Sequence, residues 1–227
     1  MKLNLFHHVP DGLTRRARSL VVAHGVQADL PDLEQHRSAW LESGIPAAEI
    51  DRAVAFQRRW GGLVLPPAPQ YDGGPRYFQA DTPDSSPTEA ADGSPVPGWW
   101  FEAGQQRTAV PYSFMIGPTG EFGIHDGRRW VPLHASIEGW IESLALAHHA
   151  ANWAKQITKV TGEALDHLEL RDFEPVAEVR GLADVWWRGT DSLIAIYSGE
   201  FRCLGAPVNR TGLIYSGLDE WGLSGGV

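Results

Sequence analysis

Ser136-Ile137-Glu138-Gly139-Trp140-Ile141-Glu142-Ser143-Leu144-Ala145-Leu146-Ala147-His148-His149-Ala150-Ala151-Asn152-Trp153 carries the clearest helical pattern in the chain. Ser136 stands directly before an apolar period, which suits an N-cap. Ile137, Trp140, Ile141, Leu144 and His148 then recur at i, i+3, i+4, i+7 and i+11, one face of a helix. The spacing predicts the strongest amphipathic helix of the chain, with room to continue to Trp153 and Ile157.

Strand signals lie on both sides of it. Upstream, Tyr112 to Gly117 and Glu121 to His125 read as a hairpin across Pro118-Thr119-Gly120, and Asp126-Gly127 turns the chain into Arg128 to Val131. Downstream, Val176 to Val179, Val185 to Trp187, Leu193 to Tyr197, Phe201 to Leu204 and Leu213 to Tyr215 read as short strands punctuated by glycine. Two helices precede these strands, Pro31 to Glu42 and a clearer one from Pro46 to Trp60, which Gly61-Gly62 can terminate. The period of Ser19 to Val26 does not decide between strand and short helix.

Between the early helices and the first hairpin, composition shifts. Eight of the sixteen prolines fall between Pro66 and Pro97, and Asp81 to Gly98 holds four acids and no base. The stretch 66–98 therefore reads as a mobile surface loop. The expected fold is a single α+β domain over residues 1–227, a mixed or antiparallel sheet against a few amphipathic helices, with a β-rich C-terminal extension from about residue 156.

Composition narrows the function. Hydrophobic residues at 43% and charged residues at 21% fit a globular protein, and the ten Trp promise large aromatic bodies in the core and at contact surfaces. A net charge of −9 argues against nucleic acid and favours a basic partner. One cysteine excludes an intramolecular disulfide. The N-terminus lacks a signal-peptide pattern and no run reaches bilayer length, so the expected place is the cytoplasm, without membrane contact. Three Lys against sixteen Arg, with abundant Ala, Gly and Pro, resembles the codon bias of a GC-rich bacterial genome.

Catalytic motifs are sparse. Gly117, Gly120 and Gly123 sit in a hairpin and do not form a dinucleotide fingerprint, and no Ser lies in Gly-x-Ser-x-Gly. The His7-His8 and His148-His149 pairs cannot both face one ion on a helix, although folding could gather His125, His134 and His148. Cys203 reads as a small buried thiol in a strand. The expectation is no catalytic residue, no metal and no cofactor. Acids, by contrast, are patterned: Glu163, Asp166, Glu169 and Asp172 follow every three residues, and Glu163 to Glu178 holds six acids against Arg171, a local sum of −5. Such a run is either a solvated face or an acidic docking surface. In the pairs Trp99-Trp100 and Trp186-Trp187, strand geometry sends one ring inward and the other outward, where it is covered by the chain or anchors a partner.

The order of these features resembles the SUKH superfamily, known largely as immunity proteins against bacterial polymorphic toxins. The matching features are a helix running into Phe56, then Trp60-Gly61-Gly62-Leu63; the hairpin Tyr112 to His125; Trp130 with Pro132-Leu133; and Ala135-Ser136 opening a helix with Trp140. They span roughly Ile45 to Leu146. The Leu-Pro with a downstream aromatic, common before the glycine pair in that family, is not apparent here, and the segment after Lys155 has no counterpart. The resemblance implies an α+β fold, no cofactor and a protein ligand.

The expected function is thus a non-catalytic module that neutralises a basic toxin domain, for instance a nuclease, by carboxylates that mimic phosphates around a Trp anchor. Its candidate partner-binding residues are Trp99, Trp100, Glu121, Asp126, Glu163, Asp166, Glu169 and Asp172. One alternative is a cofactor-free enzyme of bacterial secondary metabolism built on His125, His134 or Asp126 with acids near the long helix. Another is a regulatory scaffold module.

Overall fold

A computed structural model describes Phe6 and residues 9–71 and 73–225 of the chain. The first third is helical: α1 (Arg15–His24), the short strand β1 (Val26–Gln27), a 3-10 turn at Leu33–His36, α2 (Arg37–Glu42), α3 (Ala47–Trp60) and β2 (Leu63–Val64). Strands β3 (Pro75–Phe78), β4 (Thr88–Ala90), β5 (Pro95–Val96), β6 (Phe101–Gln106), β7 (Ser113–Ile116), β8 (Phe122–His125) and β9 (Arg129–His134) follow, then α4 (Ile137–Trp153). The remainder is β10 (Gln156–Thr161), β11 (Glu174–Pro175), β12 (Asp184–Arg188), β13 (Ser192–Tyr197), α5 (Gly199–Leu204), β14 (Thr211–Ser216) and α6 (Glu220–Ser224).

The strands form a seven-stranded sheet in the order β3-β6-β7-β8-β9-β4-β5 and a five-stranded sheet in the order β10-β14-β13-β12-β11, besides the β1-β2 pair. The five-stranded sheet is antiparallel throughout, and the seven-stranded one is mixed because β4 runs parallel to β9. The fold is α+β, as the sequence predicts. Segment 66–98, read from sequence as one loop, carries β3, β4 and β5. Its prolines fit there because Pro75 and Pro95 lie on the two edge strands, where a missing N–H costs no ladder bond.

Local chemistry explains where the helices begin. The Thr14 hydroxyl accepts from Ala17 N–H at 3.2 Å, and the Ser136 hydroxyl accepts from Gly139 N–H at 3.4 Å. The undecided stretch Ser19 to Val26 lies in α1 and β1; the buried positions of α1 are Arg16, Ala17, Leu20 and Val21, so a charged residue interrupts the apolar period. Pro31 to Glu42 is a 3-10 turn capped by Asp32, followed by α2. Two strand expectations are corrected. Val176 to Val179 contains a 3-10 turn at Ala177–Val179, and Phe201 to Leu204 is the end of α5, closed by Gly205 at φ +70°. Four apolar-alternating residues are too few to separate strand from helix.

α4 organises the interior. It stops at Trp153, short of Ile157, because Ala154 takes an extended ψ of 135°. Every residue from Ile141 to Ala147 is buried, so the helix is covered on all sides and not on one amphipathic face. Ile137, Ile141, Leu144 and Ala145 join the core beneath the seven-stranded sheet, with Phe56, Trp60 and Phe122. Leu146, Ala147 and Ala150 join the core of the five-stranded sheet, with Trp186, Leu193 and Tyr215.

That burial traps a carboxylate. Glu142 is 2% exposed and meets Arg16, 3% exposed, whose Nε donates to Glu142 Oε1 at 2.6 Å. A second guanidinium nitrogen reaches the same oxygen, the Thr14 hydroxyl donates to Oε2, and Arg16 Nη1 donates to the Ser224 carbonyl at 2.8 Å. One ion pair thus ties α1, α4 and α6 together. Desolvating both charges costs heavily, so the pair adds little net stability while its rupture leaves a lone charge in the core. Arg16→Met is expected to lower the unfolding free energy by about 3–5 kcal/mol in urea titration, and Arg16→Met with Glu142→Leu to recover most of it. A double variant no more stable than the single one contradicts this assignment.

Candidate docking surface and interior pocket

The five-stranded sheet has two differently used faces because side chains alternate along each strand. Trp186, Leu193, Ala195, Tyr197, Leu213 and Tyr215 point inward to α4. Val185, Trp187, Ile194, Ile196 and Ile214 point outward and are covered by the segment after β10, through Leu165, Leu168, Leu170 and Phe173. Gly212 permits this cover, since a Cβ there would lie 2.5 Å from Leu165 Cδ2. Both Trp of the pair 186–187 are therefore used within the chain. Trp186 Nε1–H donates to the Ser143 hydroxyl at 2.8 Å, and Trp187 is half-buried under the covering segment.

The covering segment explains the three-residue period of acids. Gly162–His167 is a 3-10 helix, in which residues i and i+3 eclipse. Leu165 faces the sheet at 4% exposure, and Glu163 and Asp166 face solvent. Beyond the turn, Glu169 and Asp172 are exposed as well. Asp166 pairs with Arg210 at 2.6 Å. Four predicted residues thus stand on one segment.

The other four are elsewhere. Trp99 is half-buried against the first core, and its carbonyl accepts from Arg52, which also reaches the Gly117 and Pro118 carbonyls. Glu121 lies in that same turn, where its carboxylate accepts from the Thr119 N–H and hydroxyl. Trp100 is 4% exposed and cannot serve as a surface anchor in this conformation. Asp126 sits at the opposite end of β8 and accepts from the Arg128 and Arg129 N–H groups at 2.9 and 2.7 Å. Burial alone would raise its pKa, but these bonds and the Arg129 charge prevail and hold it below the usual range.

Reactive groups are dispersed. His125 lies beside the Thr88 hydroxyl at 3.3 Å, His134 Nδ1 lies 3.0 Å from the Val179 carbonyl, and His148 Nε2 lies 3.0 Å from the Pro67 carbonyl. Among the described residues, no three His, Cys, Asp or Glu side chains are grouped to hold a metal ion. Burial pushes the Cys203 thiol up to about 12, so it is no nucleophile at neutral pH. His125 and Asp126 line a shallow open cavity and His134 a separate interior one, so the residues of the enzyme alternative do not converge.

That interior pocket lies where β12, β13 and α5 approach α4 and the seven-stranded sheet. Tyr71 stacks on Tyr197 with centroids 3.9 Å apart and planes at 8°. The Tyr112 hydroxyl donates to Glu200 Oε1 at 2.5 Å. Asp184, 4% exposed, accepts through Oδ1 from the Ser198 and Gly199 N–H groups at 2.8 and 2.9 Å. Phe114, Ile124, Leu133, Trp140 and Leu144 complete the walls around a cavity of about 20 Å³. Of the polar lining, the sequence singles out His134 and not Tyr71, Tyr112, Asp184, Tyr197 or Glu200. The available signal was the alternation itself, which puts Asp184 in phase with the inward Trp186.

Burial pushes the Asp184 carboxyl up to about 7, against the pull of its two N–H bonds. Burial pulls His134 down to about 4, against the Val179 carbonyl. Folded Asp184 therefore keeps a proton that unfolded Asp has lost above 3.8, so its contribution falls as pH rises from there to about 7. Folded His134 lacks a proton that the unfolded chain binds below 6.5, so its contribution rises with pH from about 4 to there. The two offset each other between about pH 4 and 6.5. Asp184→Asn is expected to unmask the His134 part, giving a stability that climbs with pH over that range in urea titrations. The variant keeping the parent's profile contradicts the pairing of these two groups.

No family model, curated protein or solved structure matches the chain, so its function is read from this geometry.

Proposed function

We propose that the chain is a non-catalytic protein-binding module that neutralises a bacterial toxin domain, in the manner of the SUKH immunity proteins its sequence resembles. The observation that carries the reading is the exposed row Glu163, Asp166, Glu169 and Asp172 on a segment whose apolar side is fixed to the outer sheet face. A row of carboxylates on a supported segment presents charge with little ordering cost on binding. It suits a basic cleft that otherwise receives phosphates, which makes a nuclease the favoured class of toxin. The net charge of −9 adds a long-range field that speeds encounter with such a partner. Trp99 and Glu121, both beside the β7–β8 turn, form a second and smaller contact patch.

Co-expression with a basic toxin domain encoded by a neighbouring gene tests the reading. The chain is expected to rescue growth and to bind the toxin with an affinity that falls between about 50 and 500 mM salt. Glu163→Gln, Asp166→Asn, Glu169→Gln and Asp172→Asn together are expected to weaken binding about tenfold or more while leaving the melting temperature nearly unchanged. Rescue and affinity indifferent to both salt and the four substitutions contradict it.

A further inference from the structure

The two large sheets end on four edge strands, β3, β5, β10 and β11. Three of them carry a proline that spoils the edge for further pairing, namely Pro75, Pro95 and Pro175. β10 carries none. Its six residues, Gln156–Thr161, pair with β14 in an unbroken register, and Ile157, Thr158, Val160 and Thr161 are β-branched. A strand paired on one side turns alternate N–H and C=O groups outward. Among the described residues, no hydrogen bond other than those to β14 engages a backbone group of these six. The side chains then indicate which strand fits. Ile157 and Lys159 stand opposite Tyr215 and Leu213, so they lie on the inner face, and Lys155 continues the alternation. Both lysines are exposed, neither ammonium group is paired among the described residues, and no acid lies between Ala154 and Thr161.

We propose that β10 is a pairing edge for an extended segment of another protein with the pattern acid–x–apolar–x–acid, which adds a further strand to the five-stranded sheet. In antiparallel register its two acids stand opposite Lys159 and Lys155, and its apolar residue stands opposite Ile157. Main-chain bonds along the edge supply affinity, and the alternate side chains select the sequence. A second copy of the chain is the poorer occupant. Antiparallel pairing keeps residues of one face opposite one another, so pairing of two β10 strands centres on a residue. Centring on Ile157 sets Lys155 against Lys159, and centring on Lys159 sets that residue against its twin. Centring on Thr158 leaves the two Lys159 side chains diagonal neighbours. Like charges so placed oppose pairing, so the lysines deter self-association while leaving the edge open to acids. The acidic row starts beyond the edge at Glu163 and lies on the outer cover, whereas the lysines lie on the inner face. The pairing edge therefore does not depend on the toxin-binding reading of that row.

The test is a calorimetric titration of the whole chain with the end-capped peptide Thr-Glu-Thr-Val-Thr-Glu-Thr, read in parallel by backbone amide NMR. Saturable binding with a Kd below about 1 mM is expected, with shifts concentrated in residues 155–161 and the neighbouring β14. A peptide with Lys in place of both Glu is expected to bind about tenfold more weakly, and one with Pro in place of the central Val to lose binding. Lys155→Glu with Lys159→Glu, both at exposed positions, is expected to reverse the preference between the acidic and basic peptides at unchanged melting temperature. Sedimentation of the free chain is expected to show no dimer joined through β10. No binding of the acidic peptide, equal binding of the acidic and basic peptides by the parent, shifts outside β10 and β14, a charge-reversed variant that keeps the parent's preference, or a dimer through β10 overturns the proposal.

Discussion

The structure depends on burying a helix that has no polar face to spare. From Ile141 to Ala147, α4 is enclosed by one core under the seven-stranded sheet and another under the five-stranded sheet. Enclosure forces every polar side chain on it to find a fixed partner. Glu142 takes Arg16 and Thr14, and Ser143 takes the Trp186 indole. The first partnership fixes α1 and, through Ser224, α6; the second fixes the inner face of β12. Elements far apart in sequence are thus registered on one helix.

The second sheet then divides its two faces between distinct tasks. Its inner face supplies Trp186 and Tyr215, stacked 5.7 Å apart, to the core, and brings Asp184 and Tyr197 to the interior pocket. Its outer face would expose five large apolar side chains if the chain did not fold residues 162–173 over it. Covering that face with a 3-10 turn fixes an acidic row outward at no further cost to the core. The outward acidic row is in this sense a by-product of closing the sheet.

How much of this is legible in the sequence depends on how local each signal is. Ser136 and the period that follows it give α4 directly, and Tyr112 to Val131 gives the meander of β7, β8 and β9, because cap and turn chemistry act within a few residues. Arg16 hides α1 by placing a charge where the pattern wants an apolar residue. Strands β3 and β4 escape notice because each has a distant partner: Ala90 pairs with Trp130, and Tyr77 with Gln105. β5 pairs with the nearby β4, but its Pro95 lies in a Pro-rich stretch that reads as loop. The acidic period at 163–172 is visible, and its outward direction needs only the intervening leucines. The pocket is not visible, since Tyr71, Tyr112, His134, Asp184 and Glu200 meet only through long-range strand pairing.

The proposed docking site is the acidic row on the segment that covers the outer face of the second sheet. Amide hydrogen exchange of the chain with and without a saturating basic toxin domain addresses this most directly. Protection concentrated in residues 162–173 is the result the structure leads us to expect. Protection absent there and confined to the segments around Tyr71 and Tyr112 contradicts it.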